Sequence, residues 1–242
     1  MLKKISGKVR RLAKRSFGIG AKKDLNKVYS GQEYLDEYKT KMDKWIAANP
    51  QSAIGGKWEE IGTLQFEFLE SKGLKPTHEL LDLGCGTLRG GRHFIAYLDP
   101  GNYWGIDISP QAIERAQALI IEEHLTAKKP VLLVNRDGNL KFEEFNGKKF
   151  GFILAQSVFT HLRPEHIEEC FANIGNIFDQ NTSFFFTYFN ETTFKLKSRK
   201  NFGYPLQFFE TLAQRYGFKL RDFSDEYPHP RNQHMLQLTL GE

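Results

Sequence analysis

The chain has 242 residues, of which 40% are hydrophobic, so its length suits one α/β domain with an appendage or at most two small domains. Its two cysteines, Cys85 and Cys170, exclude a disulfide framework and favour a reducing, cytoplasmic setting; we expect neither a signal peptide nor a membrane-spanning run. The net charge of +5 arises in residues 1–23, which hold nine Lys and Arg and no acid, whereas the remainder has 25 basic and 29 acidic residues, a net charge of −4.

The basic segment 1–23 carries apolar residues at a spacing of three to four, including Ile5, Val9 and Leu12. This pattern predicts a basic amphipathic helix that would lie on an anionic membrane surface, at the inner face of the membrane, or bind another polyanion. A solvated tail is an equally good interpretation. Nucleic acid is a weaker one, because the rest of the chain is acidic and has no basic stripe.

The sequence pattern over residues 24–56 predicts a helical cap that leads into the main domain. A helix over 24–48 is broken after Asn49, and a second helix over 58–72 closes at Gly73. The aromatic residues of this region are either core or a lid over the site, and they are Tyr29, Tyr34, Tyr38, Trp45 and Trp58.

From Glu79 onward, strands alternate with helices. Strands are predicted at 79–83, 102–107, 130–135, 150–156, 182–189, 217–223 and 233–240, and helices at 90–98, 109–124, 163–177 and 204–216. This alternation indicates a Rossmann-like, mostly parallel seven-stranded α/β sheet. The last two strands are joined by a short loop, so the final strand must run antiparallel.

The first predicted strand runs into a glycine-broken turn and then a helix, over Glu79 to Arg92. Such a turn at the carboxyl end of a strand lets a ligand approach the main chain and faces it with a helix N-terminus. The second strand ends in Asp107, 21 residues beyond Gly86, where a carboxylate can accept hydrogen bonds from both hydroxyls of a ribose. Arg89 stands where a dinucleotide fingerprint has its third glycine, which counts against a dinucleotide.

Together these segments resemble the class I S-adenosylmethionine-dependent methyltransferases, of a bacterial small-molecule or glycan type. Motif I is matched by residues 80–87, the acidic second motif by 105–109, the acid near adenine by 136–138 and the fourth-strand motif by 150–162. The resemblance covers residues 57–242. Two positions depart from the family pattern: Leu88 replaces a common third glycine, and residues 179–181 replace a Pro-Gly-Gly turn.

The resemblance implies S-adenosylmethionine as the cofactor and assigns roles along the sheet edge. Gly84 and Gly86 would admit its amino-acid and ribose parts, and Asp82 would lie near its ammonium group. Asp107 would bind the ribose hydroxyls and Ile108 would pack on adenine. Further cofactor contacts are expected from Asp137, Gly138, Gln156 and Ser157, and a further one from Gln65.

Methyl transfer needs an aligned nucleophile and, for a hydroxyl acceptor, a base. His161 follows the fourth strand and is the predicted catalytic base, with His229 and His234 in reserve. The loop over 190–203 holds Lys195, Lys197, Arg199 and Lys200, a charge that suits an anionic acceptor. No metal is predicted, because no ligand spacing typical of a metal site is present.

The sequence thus predicts three segments: a tail at 1–23, a cap at 24–56 and a methyltransferase domain at 57–242. The predicted reaction is methyl transfer to a hydroxyl of a small-molecule or glycan-like acceptor. RNA or protein methylation, and a non-catalytic binding module of the same fold, remain alternatives. The expected location is the cytoplasm, with peripheral membrane contact through the tail.

Overall fold

A computed structural model describes residues 33–49, 56–198 and 201–241. The chain divides into two units between Glu37 and Tyr38, and only residues 33–37 of the first unit lie within the described part. The predicted basic tail over 1–23 and the aromatic Tyr29 fall outside it. No helix in the described part is long and apolar enough to cross a membrane.

Six α-helices are described. They are α1 (Glu33–Ala48), α2 (Trp58–Ser71), α3 (Gly91–Tyr97), α4 (Pro110–Glu122), α5 (Pro164–Asn173) and α6 (Leu206–Tyr216). Two helix ends are capped: the Ser109 side chain accepts a hydrogen bond from Ala112 N at 3.0 Å, and Gly217 ends α6 in a left-handed conformation.

Nine strands are described within the same residues, seven of them in one sheet. They are β1 (Leu80–Leu83), β2 (Tyr103–Asp107), β3 (Val131–Val134), β4 (Phe152–Ala155), β5 (Ser183–Tyr188), β6 (Lys195–Ser198), β7 (Asn201–Gly203), β8 (Phe218–Asp222) and β9 (His234–Leu240). The large sheet has the order β3-β2-β1-β4-β5-β9-β8. Every pairing from β3 to β5 is parallel, while β9 runs antiparallel to both β5 and β8. The predicted fold, including the antiparallel last strand, is confirmed.

The parallel strands are mostly apolar because both faces of the sheet are covered. β1 and β4 are buried at every position, and β5 adds the consecutive phenylalanines Phe184, Phe185 and Phe186. This order brings the carboxyl ends of β1, β2, β4 and β5 and the start of β9 to one edge of the sheet. The predicted site residues follow those strand ends.

Two predicted elements need correction. The loop predicted over 190–203 contains the antiparallel pair of β6 and β7, whose lysine-rich sequence hides a strand signal because few of its side chains are buried. The helix predicted over 163–177 ends at Asn173 and continues as a tighter 3-10 turn over Ile174–Ile177.

Candidate functional site

The turn after β1 is held by hydrogen bonds that its main-chain N–H groups donate to β2. Gly84 N and Cys85 N both donate to Ile106 O, at 2.8 and 3.1 Å, and Gly86 N donates to Asp107 Oδ2 at 2.9 Å. Gly86 has a φ of +56°, a left-handed conformation in which glycine carries no steric penalty. Leu88 adopts a φ of +68° without that freedom, so the position where the family has glycine keeps a glycine-like backbone.

Gly84 is where the turn after β1 touches the turn after β4. Its φ is +74°, and a Cβ placed there would lie 2.5 Å from Val158 Cγ2. A real Cβ cannot approach a methyl group so closely, so the absence of a side chain at Gly84 is what lets the two turns pack together.

Asp107 ends β2 and stabilises both the turn before it and the helix after it. Its Oδ2 accepts from Gly86 N, and its Oδ1 accepts from Ser109 N at 2.8 Å. Burial raises the pKa of Asp107, although these two backbone N–H groups act in the opposite direction. A carboxylate has about four acceptor sites, so two remain for ligand hydroxyls.

Asp82 lies one strand away and is buried. Tyr103 donates to its Oδ2 from the phenol, at 2.8 Å. Burial raises the pKa of Asp82 to about 7, and Asp107 adds to this shift, while Tyr103 and Arg89 oppose it. An ammonium group bound beside Asp82 would stabilise its ionised form.

His161, the predicted base, lies in the turn between β4 and α5, where its backbone N donates to Val158 O at 2.8 Å. Its ring lies 5.1 Å from the ring of Tyr38, measured between centroids. Tyr38 in turn lies near Asp107, since burial and the Asp107 carboxylate together raise the pKa of its phenol. The structure therefore brings Asp107, Tyr38 and His161 into one neighbourhood.

The other predicted residues near β2 and β3 are less closely connected. Ile108 is partly exposed at the end of β2, and Asp137 is exposed in the turn after β3. Gly138 N, expected to face the adenine ring, donates to Asn135 Oδ1 at 2.9 Å. Gln65 is buried, with its Oε1 against Gly90 just after motif I.

The turn after β4 is held by a polar network of side chains. Gln156 Oε1 accepts from the Tyr227 phenol at 2.8 Å, while Gln156 Nε2 donates to Gln233 Oε1 and lies near His229 Nε2, each at 3.2 Å. Gln233 Oε1 also accepts from Ser157 Oγ at 3.0 Å and from Thr187 Oγ1 at 2.7 Å.

This network fixes Ser157 in an uncommon conformation. Its φ is +60°, and its N donates to Thr187 Oγ1 at 2.7 Å. A non-glycine residue held in the left-handed region at a strand end is often part of a functional site. The sequence pointed to Gln156 and Ser157 but not to Thr187, Tyr227 or Gln233, whose only signal was their position at strand ends or in the last loop.

The two reserve histidines differ from each other. His229 is buried, and burial, helped by the charges of Arg89, Arg231 and Lys57, lowers its pKa to about 4. Its Nδ1 accepts from Arg231 N at 3.2 Å. His229 is thus a neutral member of the network and a weak base. His234 opens β9, with its ring 5.7 Å from that of Tyr188.

The hairpin lysines are paired with an acid of the same segment. Glu191 forms ion pairs with Lys195, at 2.5 Å, and with Lys197. Arg199 and Lys200 lie outside the described residues. The charge that the sequence offered to an anionic acceptor is therefore partly neutralised by Glu191 in the described residues.

The donors and acceptors at this edge fit a nucleoside with a cationic side chain. The partly buried carboxylate of Asp107 and the buried carboxylate of Asp82 offer oxygens to hydroxyls and to an ammonium group. The Thr87 hydroxyl in the turn after β1 is buried and has no hydrogen-bond partner among the described residues, so a ligand group can satisfy it. Within those residues, no group of three or more His, Cys, Asp or Glu could hold a metal ion.

Comparison with known proteins agrees with this geometry. Residues 81–184 match the model of a family described as a methyltransferase domain. The chain is 15% identical to magnesium protoporphyrin IX methyltransferase from Synechocystis PCC 6803, solved with bound S-adenosylmethionine; the match covers 84% of this chain and 97% of that one, with a TM-score of 0.63.

Two further solved structures share the fold. A S-adenosylmethionine-dependent methyltransferase from Clostridium acetobutylicum is 14% identical, with 86% of this chain and 99% of that one covered and a TM-score of 0.58. The glycopeptide N-methyltransferase MtfA, solved with S-adenosylmethionine, is 8% identical, with 74% and 94% covered and a TM-score of 0.58.

Proposed function

We propose that the chain is a class I S-adenosylmethionine-dependent methyltransferase that transfers the methyl group of this cofactor to a hydroxyl of a small-molecule or glycan-like acceptor. The match of residues 81–184 to a methyltransferase-domain model and the fold shared with solved methyltransferases support this proposal. The cofactor supplies a methyl group on a cationic sulfur. The residues of the chain must then bind the cofactor, orient the acceptor, exclude water and remove the proton of the hydroxyl.

The grouping of His161 with Tyr38 and Asp107 carries this proposal. In S-adenosylmethionine the sulfur is attached to the ribose, so a base near the ribose-binding carboxylate is also near the reacting methyl group. His161 is the general base, because a histidine imidazole is the side chain that most often accepts a proton in catalysis. His229 suits this role poorly, since burial lowers its pKa to about 4.

The proposed cofactor contacts are distributed over several strand ends at one edge of the sheet. Asp107 and Ile108 bind the ribose and adenine, Asp82 binds the ammonium, and Gly84 and Gly86 admit the ligand to the main chain. Asp137 and Gly138 border the adenine, and Gln156 and Ser157 lie beneath the methionine part. These assignments rest on the strand ends from which the residues come.

Residues 38–48 of α1 exclude water from this site. Met42 and Ile46 pack on Ala112 of α4, and Asp43 is hydrogen-bonded to Ser109 Oγ. Since Ser109 N also donates to Asp107, this part of α1 is tied to the ribose-binding carboxylate through one residue. A closed, dry site strengthens the electrostatic interactions that align the reactants.

Calorimetry with S-adenosylhomocysteine tests the cofactor assignment. We expect binding by the wild type and a loss of roughly 30-fold or more in Asp107→Ala, because a charged hydrogen-bond acceptor contributes about 2 kcal/mol. Asp225→Ala, an exposed acid in the loop after β8, is the matched control and should bind normally. Equal affinities in all three proteins would contradict the ribose role of Asp107.

Turnover of hydroxyl acceptors tests His161. His161→Ala should lose roughly 100-fold or more in kcat while its S-adenosylhomocysteine affinity stays within about twofold of wild type. His166→Ala, on α5, is the control and should keep its activity. An unchanged kcat in His161→Ala would assign the base elsewhere, and binding without turnover for any acceptor would favour a non-catalytic module.

A further inference from the structure

Part of α1 is anchored beside the end of β2. Ser109 Oγ donates a hydrogen bond to the Asp43 carboxylate, and Met42 and Ile46 pack on Ala112 of α4. The three α1 residues of this anchor lie within about one helical turn of each other. This stretch of α1 is therefore fixed against the loop that joins β2 to α4.

About one turn earlier, α1 reaches the end of a different strand. Tyr38 lies four residues before Met42, so it shares a face of the helix with that residue and packs against the same cluster. The ring of Tyr38 lies 5.1 Å from the ring of His161, measured between centroids, and the two ring planes are inclined by 36°. His161 belongs to the turn after β4, so α1 contacts residues that follow both β2 and β4.

The strand order determines the course of α1 between these two contacts. In the sheet, β1 lies between β2 and β4, so the two strand ends are about 10 Å apart at the usual strand spacing. The helix rises about 7.5 Å from Tyr38 to Asp43, and the two side chains supply the remaining reach. Residues 38–43 therefore pass over the turn after β1, which is the turn proposed to hold the cofactor.

Tyr38 is suited to support a base and unsuited to act as one. Burial and, next, the Asp107 carboxylate raise the pKa of its phenol, so the hydroxyl stays protonated at neutral pH. An imidazole that packs against an aromatic ring has fewer orientations open to it. A base works only when its nitrogen lies within hydrogen-bond reach of the proton that it removes, so the orientation of the His161 ring matters for the reaction.

We propose that Tyr38 is a positioning residue whose ring holds the imidazole of His161 in the orientation that accepts the proton of the acceptor hydroxyl. This inference rests on the proposed function, in which His161 is the base. Removing the ring of Tyr38 should therefore slow methyl transfer only while His161 is present.

A double-mutant cycle on full-length protein tests this dependence, with the hydroxyl acceptor that the wild type methylates fastest. Tyr38→Leu should lower kcat roughly 10-fold, because the base is misplaced, while acceptor KM and S-adenosylhomocysteine affinity stay within about twofold of wild type. Tyr38→Phe keeps the ring and should keep kcat. In the His161→Ala background, Tyr38→Leu should have no further effect. Tyr216→Leu, which replaces another partly buried tyrosine at the end of α6, is the matched control and should not change kcat.

Proton NMR of the histidine rings tests the contact without any acceptor. The ring signals of His161 are identified by their absence in His161→Ala, and the neighbouring aromatic ring of Tyr38 should displace them in the wild type. Tyr38→Leu should move these signals toward those of the exposed His124, whereas Tyr38→Phe should leave them in place.

Four results would overturn the positioning role. Unmoved His161 signals in Tyr38→Leu would mean that the two rings are not in contact. Equal losses of kcat with and without His161 would mean that Tyr38 acts independently of it. A loss in Tyr38→Phe as large as in Tyr38→Leu would assign the effect to the hydroxyl. An unchanged kcat in Tyr38→Leu would leave the contact without a catalytic effect.

The same experiments separate this inference from the proposed function. If the wild type methylates no hydroxyl acceptor, or if His161→Ala keeps its kcat, the proposed function fails and the role of Tyr38 fails with it. If His161→Ala loses its activity and Tyr38→Leu does not, only the inference about Tyr38 fails.

Discussion

The turn after β1 and the turn after β4 meet at Gly84 and Val158, but different interactions hold them in place. The first is fixed by main-chain donors and one carboxylate from the neighbouring strand β2. The second is fixed by side-chain amides and hydroxyls, with Gln156 bonded to residues 71 and 77 positions later. A turn that is held through its main chain needs no side chains of its own, so its glycines leave room for a ligand to approach the backbone, as cofactor binding needs. A turn built from side chains can be altered to suit an acceptor.

The largest expected loss of stability comes from disturbing the contact between the two turns. Gly84→Ala should lower the free energy of unfolding by about 3 kcal/mol, because alanine is strained at a φ of +74° and its Cβ clashes with Val158. Urea unfolding of Gly84→Ala and of the wild type measures this loss.

Val158→Ala separates the two causes. If the clash contributes, Gly84→Ala made in the Val158→Ala background should cost about 1–2 kcal/mol less than it does in the wild type. Equal costs in both backgrounds would leave backbone strain alone and remove the contact between the turns from the explanation.

A substitution at Gln233 disrupts the side-chain network that holds the turn after β4. Gln233 is 5% exposed, and its Oε1 accepts three hydrogen bonds. Gln233→Ala should lower the free energy of unfolding by roughly 2–3 kcal/mol, since it leaves buried donors on Gln156, Ser157 and Thr187 unsatisfied. Acceptor KM and kcat should change as well, because the network holds the turn after β4, which carries His161 in addition to the cofactor residues Gln156 and Ser157.

Gln237→Ala is the matched control. Gln237 lies in β9, four residues after Gln233, and its side chain donates one hydrogen bond among the described residues, to Ser183 Oγ at 3.0 Å. It should cost about 1 kcal/mol or less and leave both kinetic constants near their wild-type values. If the two variants behave alike, the network is no more than ordinary sheet packing.

The same contrast explains which parts of the molecule the sequence predicts. The strands, the helices and the turn after β1 follow from local patterns: apolar runs, glycines, and Asp107 at a fixed short distance from Gly86. The structure confirms the predicted fold, with boundaries accurate to one or two residues for most elements, and the solved structures that share this fold include methyltransferases with bound S-adenosylmethionine. The β6–β7 hairpin was missed because lysines dominate it.

The acceptor side depends on contacts between distant residues, which one sequence does not reveal. His229 reads as a candidate base until its burial and its contacts with Gln156 and Arg231 are known. Lys195 and Lys197 read as a basic lid until Glu191 is found between them. In both cases the residue type suits the predicted chemistry, and burial and partners that only the structure shows decide its charge.

The smallest expected effect concerns pH, because each turn is associated with one buried titratable group and the two pKa shifts are opposite. The native pKa of Asp82 is about 7, above its ordinary 3.8, so this group stabilises the fold at low pH and loses that contribution as the pH rises toward 7. The native pKa of His229 is about 4, below its ordinary 6.5, so its contribution is lost as the pH falls from 6.5 toward 4.

Between about pH 4.5 and 6 the two slopes oppose each other, each close to 1.4 kcal/mol per pH unit for one proton, and they nearly cancel. Subtracting the wild-type unfolding free energy should therefore leave a difference that rises with pH for Asp82→Asn and falls with pH for His229→Gln. Urea unfolding at constant ionic strength across this interval measures both. If neither free-energy difference changes with pH, neither Asp82 nor His229 has a shifted pKa. If only one difference is independent of pH, the corresponding side chain is exposed to water.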